Sequence, residues 1–98
     1  MQRRALILMV KEGKEEEYRH AHANVWPELI QAAREAGLRN HSTFISGRTV
    51  IAYLEAEDVE EAFSRLLKKD VKRRWDKAMS ELLEATDTPY FEEVFHSD

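Results

Sequence analysis

The predicted organisation of this chain starts from one segment, Glu17-Tyr18-Arg19-His20-Ala21-His22-Ala23-Asn24-Val25-Trp26-Pro27-Glu28-Leu29. Its apolar and aromatic side chains recur every three or four residues, which is the repeat of one face of an α-helix. Tyr18 and His22 lie one turn apart on that face, so both are predicted to point into the core. Pro27 lacks a backbone donor and crowds the preceding turn, so the helix either restarts or kinks there. Either outcome leaves room for a small ligand beside His22.

The elements on both sides of this helix follow from the spacing of apolar residues and turn residues. They are a strand over 5–10, a helix over 14–36, strands over 38–46 and 49–55, a helix in two pieces over 58–67 and 70–82, a loop over 86–89, and a strand over 90–95. Gly37 is predicted to end the first helix, and Asp58 and Asp70 to cap the two pieces of the second. The order β-α-β-β-α-β predicts one α+β domain, residues 1–98, with the ferredoxin-like arrangement of a four-stranded antiparallel sheet and helices on one face.

Composition excludes several classes of protein and of site. The chain is 43% hydrophobic and 35% charged and contains no cysteine, which is typical of a soluble, cytoplasmic globular protein without disulfides or thiolate metal sites. Its 15 basic residues are dispersed among 19 acidic ones, a pattern that predicts no nucleic-acid partner. Apolar runs are too short for a membrane span or a signal peptide. A small molecule or another protein is therefore the expected partner.

The first strand also predicts a quaternary structure. Residues 5–10 are apolar without alternation, so both faces of this strand should be covered. The helices can cover only one face of the sheet, and the other face needs a second apolar surface. A homodimer that packs sheet against sheet supplies it, and leaves the space between sheet and helices free for a ligand.

His22 is the leading candidate for a catalytic group, because an imidazole can give or take a proton near neutral pH. A single histidine on an apolar helix face is more often a hydrogen-bonded core residue, and Tyr18 at this spacing is also consistent with ordinary core packing. Together, however, an imidazole and a phenol offer a donor and an acceptor to one substrate. The segment therefore leaves a catalytic and a purely structural interpretation open.

Three other residues are candidate contacts for a ligand. Trp26 and Trp75, one from each helical region, are either core residues or aromatic faces for a sugar ring, and His41 lies on a strand face that the sequence does not determine. The four histidines lack the spacing of a zinc site, and the chain has neither a phosphate-binding glycine loop nor a nucleophile elbow. What remains is proton transfer, without cofactor or metal, in a small aromatic-lined pocket.

The pattern Tyr-x3-His-x3-Trp-Pro-Glu-Leu over residues 18–29 resembles the L-rhamnose mutarotase family. The further residues that carry the likeness are Glu17, Gly37, Asn40, Asp70-Val71, Arg74-Trp75, Met79 and Glu93-Val94-Phe95. The resemblance covers nearly the whole chain. It implies a homodimer of the ferredoxin-like, dimeric α/β-barrel type that interconverts the anomers of a deoxyhexose, a monosaccharide, without a cofactor.

The resemblance also implies roles for individual residues. His22 occupies the position of the family's proton donor, and Tyr18 that of a tyrosine that contacts the substrate. Trp75 matches the first of two adjacent tryptophans at the sugar site. The second tryptophan is Asp76 here, and a strand tyrosine that touches the sugar is His41. Because hydrogen-bonding groups replace aromatic ones, the fold and the reaction carry over better than the identity of the sugar.

The leading hypothesis is an L-rhamnose mutarotase-like isomerase in which His22 protonates the ring oxygen. Tyr18 or His41 then relays the anomeric proton, Trp75 stacks on the sugar, and Asp76 bonds a hydroxyl. The alternatives are an L-fucose mutarotase of the same family, a haem-binding or monooxygenase-type protein with His22 or His41 as iron ligand, and a non-catalytic ligand-binding dimer module. By the same resemblance, the family's loop before the last strand is longer than residues 86–89 of this chain, a further departure from the family pattern.

Overall fold

A four-stranded antiparallel sheet with helices on one face makes up the part of the chain that the computed structural model describes, residues 1–85 and 90–98. The elements are β1 (Gln2–Met9), α1 (Glu15–Ala23), α2 (Pro27–Ala36), β2 (Arg39–Ser46), β3 (Thr49–Ala56), α3 (Val59–Leu67), α4 (Asp70–Ser80) and β4 (Phe91–Glu92). The strand order is β2-β3-β1-β4, which confirms the predicted ferredoxin-like α+β fold. The loop predicted at 86–89 lies outside the described residues. None of the helices in the described ranges has the length and apolar character needed to cross a bilayer.

The predicted first helix is two helices. Trp26 adopts extended backbone, with φ −60° and ψ 126°, and Pro27 is the first residue of α2. Proline suits this position because its missing N–H is one that a helix start leaves unpaired in any case. His22 therefore lies in the last turn of α1. Gly37, at φ +111°, ends α2 as predicted, in a left-handed conformation that favours glycine.

The two pieces of the second helical region differ in how they begin. The Asp58 carboxylate accepts a hydrogen bond from the Glu61 backbone N–H at 3.1 Å, so the predicted cap of α3 is confirmed. The predicted Asp70 cap is wrong, because Lys69 occupies the capping position and makes no side-chain cap bond. Asp70 is instead the first helical residue, and its carboxylate accepts a hydrogen bond from Arg74 one turn later, at 2.8 Å.

The core lies between the sheet and the helices. Leu54, Val10, Val50 and Val59 are its largest fully buried side chains. Two apolar helix residues, Leu67 and Ala78, are exposed. Each is next in sequence to a buried residue, and one residue turns a helix by about 100°, which rotates these side chains away from the sheet.

The bounds of the first and the last strand also differ from the predicted ones. β1 begins at Gln2 rather than residue 5, because Arg3 and Arg4 continue the ladder with β3. The last strand is predicted over 90–95, but only Phe91–Glu92 pairs with β1. Beyond it Val94 and Phe95 are 91% and 81% exposed.

The two faces of the sheet differ as predicted. In β3, Val50, Ala52 and Leu54 are buried toward the helices, whereas Ile51 between them is 43% exposed. Ile51 lies opposite Ile7 of β1 and Phe44 of β2, and Phe44 is 60% exposed. Within the described residues no helix covers this second face, and it presents a contiguous apolar surface.

Candidate functional site

A cavity of about 690 Å³ lies between the sheet and the helices, within the range of about 300–1,000 Å³ typical of small-molecule sites. Strands β1, β2 and β3 and all four helices contribute to its walls. Its polar and aromatic lining residues include Tyr18, His22, Arg34, Arg39, Asn40, His41, Thr43, Phe63, Lys72, Trp75 and Asp76. The cavity thus brings together five of the six predicted site residues, Tyr18, His22, His41, Trp75 and Asp76.

An aromatic cluster forms one side of this cavity. The Tyr18 and His22 rings stack at a centroid distance of 4.2 Å and an interplanar angle of 26°. Trp75 meets the His22 ring edge-on at 5.4 Å. Edge-to-face and offset-stacked geometries are the ones that aromatic quadrupoles favour, so these contacts fix the orientation of the imidazole.

The hydrogen bond of His22 determines which ring nitrogen carries the proton. His22 Nδ1 lies 3.1 Å from the Tyr18 carbonyl oxygen, one helical turn earlier. A carbonyl oxygen only accepts, so Nδ1–H donates and Nε2 of the neutral ring keeps its lone pair. Burial lowers the pKa of His22 below its usual 6.5, although the bond to the Tyr18 carbonyl opposes this shift. At neutral pH the imidazole is therefore uncharged, with a free acceptor at Nε2.

Tyr18 keeps its proton. The residue is 3% exposed, and this burial raises the pKa of its phenol to about 12. The shift arises because the phenolate, once buried, is poorly solvated, so losing the phenolic proton costs more free energy than it does in water. Tyr18 consequently serves as a neutral hydroxyl, able to donate or accept a hydrogen bond, over the whole physiological pH range.

His41 lies on the helix-facing side of β2, a choice that the sequence left open. His41 lines the cavity, and the residue is exposed to solvent. The pKa of His41 is lowered by desolvation first, and then by the charges of Lys72 and His22. A positive charge on His22 therefore disfavours the protonated form of His41.

Lys72 is a site residue that the sequence reading missed. It lines the cavity from α4 and forms an ion pair with Asp76 one turn later, Nζ to Oδ1 2.5 Å. The only available signal was the i, i+4 spacing of the two charges, and that spacing is equally typical of a solvated helix face.

Trp26 does not belong to the described residues that line the cavity. It packs edge-on against Trp75 at 5.1 Å, and the Arg74 guanidinium lies 5.9 Å from its ring centroid. Trp26 therefore contacts the cavity lining only through its neighbour Trp75.

A shallower depression of about 320 Å³ lies between α2 and α4 on the outer surface of the helices. Its charges pair with one another: Arg74 bonds Glu28 at 2.6 Å, and Lys69 lies 3.6 Å from Glu35. This depression contains none of the predicted catalytic groups, so the cavity against the sheet is the candidate site.

Known proteins resemble this chain in both sequence and fold. The family model for L-rhamnose mutarotase matches residues 3–97. An L-rhamnose mutarotase of Bacillus subtilis (strain 168) is 38% identical over 85 residues, which is 85% of this chain and 81% of that protein. The crystal structure of an L-rhamnose mutarotase from Formosa agariphila superposes with a TM-score of 0.82 at 22% identity, over 100% of both chains. A dimeric ferredoxin-like protein from an uncultured marine organism has a TM-score of 0.69 at 12% identity, over 100% of this chain and 99% of that one. By the extent of the family match and the identity to its members, the chain belongs to the L-rhamnose mutarotase family.

Proposed function

We propose that this protein interconverts the α and β anomers of L-rhamnose or of another 6-deoxyhexose such as L-fucose. The observation that carries the proposal is the stacked imidazole and phenol of His22 and Tyr18 on the wall of a cavity large enough for a monosaccharide. Membership of the L-rhamnose mutarotase family supports the substrate class and the reaction.

The reaction requires one proton to leave and another to arrive. A base takes the proton of the anomeric hydroxyl as the C1–O1 bond becomes a carbonyl, the C1–O5 bond breaks, and an acid protonates the ring oxygen O5. Rotation about C1–C2 and closure on the other carbonyl face reverse these transfers and give the other anomer. Only general acids and bases are needed, and these typically contribute about 10²–10⁴-fold each.

His22 has the chemistry for the first transfer. Because its pKa is lowered, the resting imidazole is neutral, and Nε2 accepts the anomeric proton. The imidazolium so formed is then the acid that protonates O5, the step that sequence reasoning assigned to this residue. In this order His22 first accepts a proton and then donates it.

The neighbouring residues hold the sugar against His22. The Tyr18 hydroxyl, or His41 across the cavity, relays the anomeric proton between the anomeric oxygen and His22. Trp75 offers its ring to the C–H face of the sugar, and Asp76 accepts a hydrogen bond from a hydroxyl. Trp26 acts on the sugar through Trp75, whose edge it contacts.

We also propose that the working form is a homodimer. The apolar sheet face that contains Phe44 and Ile51 needs a cover, and a second copy of the same face is a self-complementary one. The likeness to a dimeric ferredoxin-like protein supports this assembly.

Saturation-transfer NMR tests the activity directly. With L-rhamnose, L-fucose and further hexoses at equilibrium, the protein should increase the exchange between the two anomeric proton signals of at least one 6-deoxyhexose. Heat-denatured protein at the same concentration is the control for catalysis by buffer. Exchange at the buffer rate for every sugar of the panel would refute the proposal.

The pH dependence of kcat/KM separates the two orders of proton transfer. If neutral His22 accepts first, the enzyme-specific rate should rise with pH, with a midpoint below 6.5, and then stay level because Tyr18 remains protonated up to about pH 12. Exchange rates are measured from mildly acidic to mildly alkaline buffers and corrected for the spontaneous rate at each pH. A rate that falls as the pH rises past 6.5 would instead identify imidazolium as the resting donor.

A further inference from the structure

We propose that Lys72 and Asp76 together bind two neighbouring hydroxyl groups of the sugar and so determine which sugar the site accepts. This inference rests on the proposed function and extends it to a specificity-determining pair. Neither residue needs to take part in proton transfer.

The burial of Lys72 sets this ion pair apart. Its side chain is 17% exposed, whereas the lysine and arginine members of the other ion pairs among the described residues are 32–58% exposed. An exposed i, i+4 ion pair contributes little to stability. A lysine that served only as a surface residue of the helix would keep its ammonium group in water, because burying a charge costs free energy. The ammonium group is instead held at the cavity wall.

Both members of the pair line the cavity, Lys72 with its side chain 17% exposed and Asp76 with its side chain 46% exposed. Lys72 also lies close enough to His41, on β2, for its charge to lower the pKa of that imidazole. The pair therefore presents an ammonium group and a carboxylate to the same cavity as His41.

The hydrogen-bonding capacity that remains fits a diol. The Lys72 ammonium has three N–H donors and uses one for Asp76 Oδ1, and the Asp76 carboxylate retains acceptor sites. Each sugar hydroxyl can both donate and accept, so one hydroxyl can accept from Lys72 while its neighbour donates to Asp76. Charged partners make such bonds stronger than neutral ones.

The consequence is discrimination against sugars that lack either hydroxyl. A site built to bond a hydroxyl leaves its own buried polar groups unpaired when the hydroxyl is missing, and rejects that analogue far more strongly than an apolar pocket would.

The test combines two variants with deoxy sugars. The sugar that the wild-type protein exchanges most rapidly is compared with its analogues that each lack one ring hydroxyl. Two analogues lacking neighbouring hydroxyls should lose about 10- to 100-fold in kcat/KM. Lys72→Met and Asp76→Asn should lose a similar factor on the parent sugar, mainly through KM, and should show no further loss on the matching analogue. Lys77→Met, an exposed lysine on the same helix, is the matched control and should behave like the wild type.

Three outcomes would overturn the inference. They are wild-type exchange rates in both variants, losses in the variants that multiply with the losses on the analogues, or a change in thermal stability with unchanged ratios of kcat/KM between the sugars. Each of these leaves the proposed activity intact if the wild-type protein still accelerates exchange. If it accelerates none, the proposed function fails, and titration of the sugars followed by protein NMR tests the pair by itself. Weaker binding of the parent sugar in both variants then supports the inference, and equal binding overturns it.

Discussion

His22→Gln is expected to lower the enzyme-specific rate of anomer exchange by about 10²–10⁴-fold, because glutamine cannot cycle between a proton acceptor and a proton donor near neutral pH. The substitution keeps a polar side chain of similar length, so the fold should be retained. Anomer exchange is measured by saturation-transfer NMR and folding by circular dichroism. KM should change much less than kcat, since the imidazole is assigned to the reaction rather than to holding the sugar.

His20→Gln is the matched control for this experiment. His20 lies two residues earlier on the same helix, but its side chain is exposed and does not line the cavity. The same chemical change there should leave the exchange rate unaltered. A folded His22→Gln protein with the activity of the His20→Gln protein would remove His22 from the catalytic role and return it to the core-residue interpretation.

Ile51→Lys is expected to convert the proposed homodimer into monomers of 11.5 kDa. Ile51 lies in the middle of the uncovered sheet face, opposite both Ile7 and Phe44. In a sheet-to-sheet dimer the substitution would bury an unpaired ammonium group from each subunit, and the penalty after relaxation is several kcal/mol per charge. Sedimentation velocity over a range of protein concentrations measures the mass of each species.

Leu67→Lys provides the comparison on the opposite side of the molecule. Leu67 is 51% exposed at the end of α3, and its replacement adds the same charge to the helical layer. This variant should sediment as the wild type does. A wild-type protein that is monomeric at every concentration, or an Ile51→Lys protein that stays dimeric, would contradict assembly through this face.

Much of the fold could be predicted because local patterns decided it. The i, i+3, i+4 stripe over residues 18–29 and the glycine at position 37 each have one dominant structural meaning, whereas Pro27 left a restart and a kink open. The alternation of β3 places Ile51 on the other face from its buried neighbours. Asp70 was misassigned because a capping residue and a first-turn residue share the same preference for carboxylates.

The site was less accessible to sequence reasoning. His41 could be assigned to a face only once the register of β2 against β3 was known, since a shift of one residue exchanges the two faces. Lys72 was missed because its depth depends on the space between α4 and the sheet, which no local pattern records. Trp26 shares the stripe of His22, but the break before Pro27 directs it toward Trp75 and away from the cavity wall.

That break has an electrostatic consequence for the reaction. Because α1 ends at Ala23, His22 lies in the last turn of the helix, where the helix dipole carries its partial negative charge. Such a helix terminus stabilises a nearby cation by about 0.3–1 kcal/mol, and up to about 2 kcal/mol where the site is partly buried. A continuous helix from α1 through α2 would cancel this field with the next turn of amides. In the proposed reaction the interruption therefore favours the short-lived imidazolium that forms when His22 accepts the anomeric proton and that ends when this proton passes to O5.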